Sequence, residues 1–337
     1  MKVILKLFGK DSDLSVLSVI TVCTFVVLIL ILGDKFFSLN NLQSLAYQIP
    51  EFGFLALAMM LAMLTGGIDL SIVTNACLSG IIGAYFLTGA VFPLNSPAAT
   101  SAAIVIAVIT ILAISIICGT LNGILIAKFS VPPILATLGT MILFSGIGMA
   151  ITSGKGVVGF PEAFMKFGSG SVLNIPYIFI LFVLAVIVMS ILLSRTRFGK
   201  KIYLFGENFT ALRFTGVNTE RLIIAVYTIA GFLAGFAGII IISRVNSARV
   251  GYGDTYLLQA ILVAVLGGVD PYGGRGRIAG VMLGMCILQI LQSAFTLFSF
   301  TPYTKRLVWG FILLLVMIIN FIIEKRRTSA PKAAIKA

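Results

Sequence analysis

The sequence predicts an all-α fold, a polytopic membrane helix bundle of about ten transmembrane helices, and three observations carry that expectation. Hydrophobic residues make up 59% of the 337 residues and charged residues only 10%, against about 25% charged in soluble domains. Apolar runs recur along the whole chain, many of them long enough to cross a hydrocarbon layer about 30 Å thick. The 24 Lys and Arg, set against 11 Asp and Glu, lie between those runs rather than on one solvated face. Such a placement sets membrane topology and does not indicate a nucleic-acid partner.

The segment 1–13, with Lys2, Lys6 and Lys10, reads as a cytoplasmic N-terminus leading into a retained first helix, Leu14 to Leu32. A membrane domain is then expected over 14–324. Its further spans run Phe52 to Leu64, Ile68 to Leu87, Ala102 to Ala127, Ile134 to Ile151 and Ile175 to Leu193. They continue with Leu222 to Ile242, Thr255 to Leu266, Ile278 to Phe298 and Leu307 to Ile323. Threading these ten spans from an inside N-terminus places Arg195, Arg197, Lys200, Lys201, Arg275, Arg277 and the tail's Lys325, Arg326 and Arg327 on the inner side. Few basic residues, such as Lys155 and Lys166, fall outside, so both termini are expected inside. The tail 325–337 is expected to be a basic cytoplasmic segment held near anionic lipid.

Two spans, one in each half, look interrupted. Phe52 to Leu64 follows Gln48, Pro50 and Glu51, and Thr255 to Leu266 lies between Gly253-Asp254 and Gly267-Gly268. At the helical rise each covers only about 20 Å. Irregular backbone at membrane depth is tolerated where protein or water surrounds it, so short, glycine-bounded segments in both halves point to a transport pathway. Thr65-Gly66-Gly67-Ile68-Asp69 echoes Gly267-Gly268-Val269-Asp270, whereas an inverted repeat would pair Asp69 with Asp254; the two alignments imply different symmetries.

The composition excludes several chemistries. Histidine is absent, which removes the commonest general base and metal ligand. Cys23, Cys77, Cys118 and Cys286 sit singly inside apolar runs, so neither a metal site nor a disulfide framework is expected. No Gly-x4-Gly-Lys-Ser/Thr phosphate cradle occurs, and Gly251-Tyr252-Gly253 opens no dinucleotide-binding unit. The chain is expected to be no enzyme, to hold no cofactor and no metal, and to lack its own ATP site.

Polar residues inside or beside the spans are the candidates for function. Gly66-Gly67-Ile68-Asp69-Leu70-Ser71 places a carboxylate and a hydroxyl at a helix start after a flexible turn. They either hydrogen-bond a polyol, or Asp69 caps the helix by accepting its orphan N–H groups. Glu51, preceded by Gln43, Tyr47 and Gln48, either faces the bundle interior or marks the break at Pro50. Asn75, Asn122, Gln289 and Gln292 either line a polar route or join helices. Gly273-Gly274-Arg275-Gly276-Arg277 reads as a tight inner turn.

The loop 195–221 is more informative. Gly199, Gly206 and Gly216 bracket a helix-competent piece from Glu207 to Phe214. Phe205, Phe209 and Leu212 can form its apolar face, with Glu207, Asn208 and Arg213 polar. A short amphipathic helix of this kind suits either a partner's groove or a lipid surface.

Four stretches in this order carry a family resemblance that covers nearly the whole chain. They are Gly66 to Ser71, Pro133-Ile134-Leu135-Ala136-Thr137-Leu138-Gly139-Thr140, Arg195 to Tyr203 with Gly206 and Asn208, and Ala264-Val265-Leu266-Gly267-Gly268 with Gly273-Gly274-Arg275-Gly276. The chain resembles the permease subunits of bacterial ABC importers for simple sugars, of the ribose, arabinose, galactose and autoinducer-2 type. It departs from their pattern at Ile72 to Asn75 and at Phe209 to Leu212. The resemblance implies a multi-pass inner-membrane subunit that pairs with a second permease copy or a paralogue, two ATPase subunits and an extracytoplasmic sugar-binding protein. It also implies that Gly206, Glu207, Asn208, Arg213 and Gly216 belong to a coupling helix seated on the ATPase. The alternatives are an ion-coupled secondary transporter of a small polar solute, which would use Glu51, Asp69 or Asp254, and an intramembrane enzyme, for which no clustered nucleophile and base exist.

Overall fold

The computed structural model describes residues 12–329 apart from 34, 35 and 37. Most of the expected segment 1–13, and the tail beyond residue 329, therefore lie outside the described residues. The helices are α1 (Ser12–Leu32), α2 (Leu39–Leu64), α3 (Ile72–Leu87), α4 (Pro97–Ala127), α5 (Pro133–Thr152), α6 (Glu162–Ser169) and α7 (Tyr177–Arg195). They continue with α8 (Arg197–Glu207), α9 (Phe209–Phe214), α10 (Thr219–Val245), α11 (Asp254–Leu266), α12 (Ile278–Leu297) and α13 (Pro302–Ser329). Two small antiparallel ribbons join them: β1 (Val157–Val158) pairs with β4 (Ser247–Ala248), and β2 (Ser171–Val172) with β3 (Ile175–Pro176).

Each of the ten apolar segments falls largely on a helix, with Ile68 to Leu87 helical only from Ile72. Among the described residues six are long and apolar enough to cross a membrane: α2, α4, α5, α7, α10 and α12. The apolar stretch of α1, and α3 and α11 as wholes, are shorter. One expectation is corrected. Phe52 to Leu64 is no separate short span but the second half of α2, which runs unbroken through Pro50. A proline inside a helix removes one backbone donor and crowds the carbonyl four residues earlier, here that of Ala46. Beside it, the carbonyl of Tyr47 accepts a hydrogen bond from Arg244 Nη1 at 3.1 Å. Such a side-chain donor is one means by which a membrane helix tolerates proline. The short α11 matches its expected extent.

Helix starts follow local chemistry. The side chains of Ser38, Ser96, Thr196, Asn208 and Asn218 each accept the N–H three residues on, at the heads of α2, α4, α8, α9 and α10. These caps are the short polar side chains that satisfy orphan donors.

The core lies around the second half of α2, where every side chain from Phe54 to Leu64 is 1% exposed or less. α7, α10, α11 and α12 enclose it. By contrast α4, α5 and α7 present aliphatic faces outward, for example Ile109 and Ile117, Leu135 and Ile142, Leu184 and Ile187. α10 also packs along α4 at close range through facing glycines. A Cβ on Gly119 would lie 2.9 Å from Gly231 Cα, and one on Gly123 2.7 Å from Ile224 Cα. Small residues four apart let membrane helices approach closely enough for dispersion contacts to hold them together. This contact brings Asn122 of α4 and Tyr227 of α10 to the same end of the bundle.

Candidate functional site

The turn 65–71, between α2 and α3, anchors one polar cluster. Gly66 has φ +74°, a conformation that glycine adopts without strain. Gly67 passes so close to Tyr227 that a Cβ would lie 2.5 Å from its hydroxyl. Asp69, 2% exposed, accepts at Oδ1 from the Ser71 N–H at 2.9 Å and from the Ser71 hydroxyl at 2.7 Å. The chain of bonds continues into two other helices. Asn122 Nδ2 donates to Ser71 Oγ at 2.7 Å, and the Thr140 hydroxyl of α5 donates to Asn122 Oδ1 at 2.7 Å. Thr137 adds a bond to the Ile68 carbonyl at 3.0 Å.

Asp69 therefore does not cap α3 in the expected way. Ser71 is the N-cap, its side chain makes no cap bond, and Asp69 takes the N–H of that cap residue instead. Of the pathway candidates, Gly66, Gly67, Asp69, Ser71 and Asn122 come together here. Asn75 stands one turn along α3, donating to the Ser115 carbonyl at 3.1 Å, with its own Oδ1 buried and without a partner among the described residues. Thr137, Thr140 and Tyr227 were not singled out from sequence. Thr137 and Thr140 lie within the Pro133–Thr140 stretch, and their spacing of three places both on one helix face. Replacing Asn122 by Leu should cost about 1–2 kcal/mol, since both its bonds are lost inside the bundle. A lower apparent unfolding temperature of the purified chain in detergent is the measurement that checks this.

A second cluster gathers on the first half of α2. Glu51, half a bundle away from Asp69, forms an ion pair with Arg244 of α10 through Oε1 and Nη1. Its Oε2 accepts from the Tyr256 hydroxyl of α11 at 2.6 Å. The Arg244 guanidinium also lies over the Tyr47 ring, 5.6 Å from its centroid, and the Tyr47 hydroxyl donates to the Ser169 carbonyl at 2.6 Å. One turn earlier Gln289 Nε2 of α12 donates to Gln48 Oε1 at 3.0 Å, and Ser293 donates to Asn41 Oδ1 at 2.8 Å. The Oε1 atoms of Gln289 and Gln292 are buried without a partner among the described residues. Glu51, Gln289 and Gln292 thus belong to this second site rather than to the one around Asp69. Arg244 and Tyr256 were missed. The signal for Arg244 was a basic residue ending an apolar span on the expected outer side, where topology calls for none.

The loop 195–221 folds as α8 and α9, with a break that the sequence did not reveal. Glu207 ends α8, and Asn208 starts α9 by accepting the Ala211 N–H at 2.9 Å. The expected apolar face is turned inward only in part. Leu212 is buried, Phe205 is half-buried, and Phe209 packs edge-on against Phe205 at 5.3 Å yet stays exposed; Phe214, outside that face, is 87% exposed. Glu207, Asn208 and Arg213 are exposed, and Gly216, with φ +79°, ends the segment.

Gly206 joins this loop to the bundle. A Cβ there would run into the Gly274 nitrogen and the Leu64 carbonyl oxygen. Gly274 N in turn donates to Leu64 O at 3.0 Å, and a Cβ on Gly273 would lie 2.9 Å from both Gly206 Cα and Gly66 N. The Tyr203 hydroxyl donates to the Gly276 carbonyl at 2.9 Å. Burial pushes this hydroxyl above the usual tyrosine range, against the opposing pull of Arg277, so it stays a donor at neutral pH. The stretch read as a plain inner turn is thus the third member of a backbone junction with α2 and α8.

Among the described residues no three metal-ligating side chains gather. What the two sites offer is directed hydrogen bonding and charge held at fixed places between helices. The comparisons with known proteins bear on such a bundle. Residues 41–317 match the family described as branched-chain amino acid transport system / permease component. The chain belongs to that permease family. It is 34% identical over 297 residues, covering 88% of this chain and 89% of the relative, to the ribose import permease protein RbsC of Bacillus subtilis (strain 168). To the RbsC protein of Escherichia coli (strain K12) it is 33% identical, over 90% of this chain and 92% of that one. The galactose/methyl galactoside import permease protein MglC of Haemophilus influenzae (strain ATCC 51907 / DSM 11121 / KW20 / Rd) is 31% identical, over 88% and 92%. No solved structure matches the chain. The matched segment takes in both polar clusters and the glycine junction.

Proposed function

We propose that the chain is the transmembrane permease subunit of an ATP-binding-cassette importer that carries a neutral simple sugar or related polyol across a bacterial inner membrane. The observation that carries this reading is the similarity to the ribose import permease of B. subtilis, over 88% of this chain and 89% of that one. The family description names branched-chain amino acids, but the individual relatives are named for ribose, galactose and autoinducer 2 import. The scarcity of charge in the spans suits an uncharged solute.

In this reading α1–α5, α7 and α10–α13 give ten crossings with both termini inside, and α8, α9 and the Gly273–Arg277 turn face the cytoplasm. ATP is hydrolysed on a separate ATPase subunit that engages α9 through Glu207, Asn208, Arg213 and the exposed Phe214. A second permease copy or a paralogue completes the pore, and an extracytoplasmic binding protein delivers the solute. ATP binding shifts the outward and inward states only by its differential affinity for them, and the Gly206 junction carries that difference into the bundle. Gly66, Gly67, Asp69, Ser71, Asn75 and Asn122 lie at the inner end of the route, and Glu51, Gln289 and Gln292 in its outer half. Ion coupling is disfavoured because the Glu51 carboxylate is already held by Arg244 and Tyr256.

The test is a pull-down of the tagged chain from mild-detergent native membranes, with co-purifying proteins identified by mass spectrometry. An ATPase of the cassette class is expected, together with solute uptake into vesicles that requires ATP. A chain that emerges alone, under conditions that keep a known ABC importer intact, refutes the reading.

A further inference from the structure

The first half of α2 and its last residue are tied to different parts of the molecule, and nothing soft lies between them. At one end the Leu64 carbonyl accepts the Gly274 N–H at 3.0 Å and abuts Gly206, so the helix terminus is locked into the junction beneath α8. At the other end Glu51 holds Arg244 of α10 and Tyr256 of α11. The intervening turns are enclosed by protein on all sides. Gly53 shows how tightly: a Cβ there would lie 2.7 Å from Phe182 Cε2 and 3.1 Å from Met285 Sδ. A close-packed helix in a close-packed sleeve transmits displacement rather than absorbing it. The one weak point in the ladder, Pro50, sits just before Glu51, so the stiff section ends where the ion pair begins.

From this we infer that residues 51–64 of α2 form a transmission rod that links the Gly206 junction to a latch made by Glu51, Arg244 and Tyr256, about 20 Å away along the helix. Arg244 and Tyr256 are positioning residues in this device: they hold the far end of the rod against α10 and α11. Coupling between two sites is reciprocal. Loosening the latch therefore loosens the junction, and a displacement imposed at the junction loads the latch. The proposal gives a direction to the reading of the chain as an ATP-driven permease, yet the rod itself needs no ATPase to be tested.

The test is hydrogen–deuterium exchange of the full chain in lipid nanodiscs, comparing wild type, Glu51→Gln, Tyr256→Phe and Tyr85→Phe. Tyr256→Phe keeps the ion pair and the ring and removes only the bond to Glu51, so it decides the matter if Glu51→Gln does not fold. Tyr85→Phe is the control for loss of a tyrosine hydroxyl, because it removes the bond from Tyr85 to the Ile151 carbonyl, away from the rod. The junction amides of Gly66, Gly67 and Gly274, bonded to Met63, Ala62 and Leu64, are the reporters. Latch variants are expected to exchange there at least threefold faster than wild type and than Tyr85→Phe. Faster exchange confined to residues 43–51 and 244–256 overturns the proposal, as does equal acceleration across the whole chain. An importer that proves not to be ATP-driven would leave this result standing, so failure of the rod and failure of the proposed function are separable.

Discussion

Gly206→Ala is expected to lower ATP-driven solute uptake at least tenfold while the protein still reaches the membrane. The added methyl meets the Gly274 nitrogen and the Leu64 carbonyl, both backbone atoms, so no side-chain rotation relieves it. Retreat of the turn is also closed off. Gly273 and Gly274 adopt φ of +101° and +76°, and the turn is fastened by bonds from Gly273 N to Asp270 O and from Asp270 N to Arg275 O. Overpacking of this kind costs about 1–3 kcal/mol, and the cheaper response is for the end of α8 to swing away and carry α9 with it. The matched control is Gly139→Ala, at an outward position on α5 with nothing within 4 Å, which should transport like wild type. Uptake of a labelled simple sugar that the wild type carries, into vesicles and normalised to immunoblot levels, checks both. Wild-type uptake by Gly206→Ala would remove the junction from the mechanism.

The second large effect is expected at Arg244. Arg244→Met leaves the Glu51 carboxylate inside the bundle with only the Tyr256 hydroxyl to stabilise it, and breaking a buried pair from one side costs about 3–5 kcal/mol. Replacing both partners removes the stranded charge. Glu51→Gln/Arg244→Met should therefore unfold closer to wild type than Arg244→Met alone does, a non-additivity that thermal unfolding of the detergent-purified variants measures directly. Equal unfolding temperatures for the single and double variants would mean that the pair contributes packing and no charge complementarity.

The positions of the helices were legible because burial in lipid imposes a coarse, local rule on composition: each apolar run falls largely on a helix. The rule failed at Leu39–Leu64 for an instructive reason. Gln43, Gln48, Pro50 and Glu51 interrupt the hydropathy of that helix, but hydropathy reports side chains, whereas helix continuity depends on backbone bonds that tolerate one proline. What makes those polar residues acceptable lies far off in the chain. Glu51 and Arg244 are 193 positions apart, and Ser71 and Asn122 are 51 apart. No local pattern announces such pairs. Glycines were similarly half-readable. Gly66, Gly206 and Gly273 each looked like a turn signal, and only the tertiary fold reveals that the three backbones rest on one another. The break between α8 and α9 escaped because the Gly206 signal beside it points to a helix start there, whereas Asn208, a favoured capping residue, starts it two positions later.

The six-residue α9 is too short to hold a helical shape by itself, since helices below about 12–15 residues are marginal in water. Here its shape is supplied from within the chain, by the Asn208 cap, the burial of Leu212 and the packing of Phe209 on Phe205. The conformational entropy of ordering the segment has thus been lost before any partner arrives. A protein that docks on Phe214 meets a prepared surface, and more of each contact it makes appears as affinity.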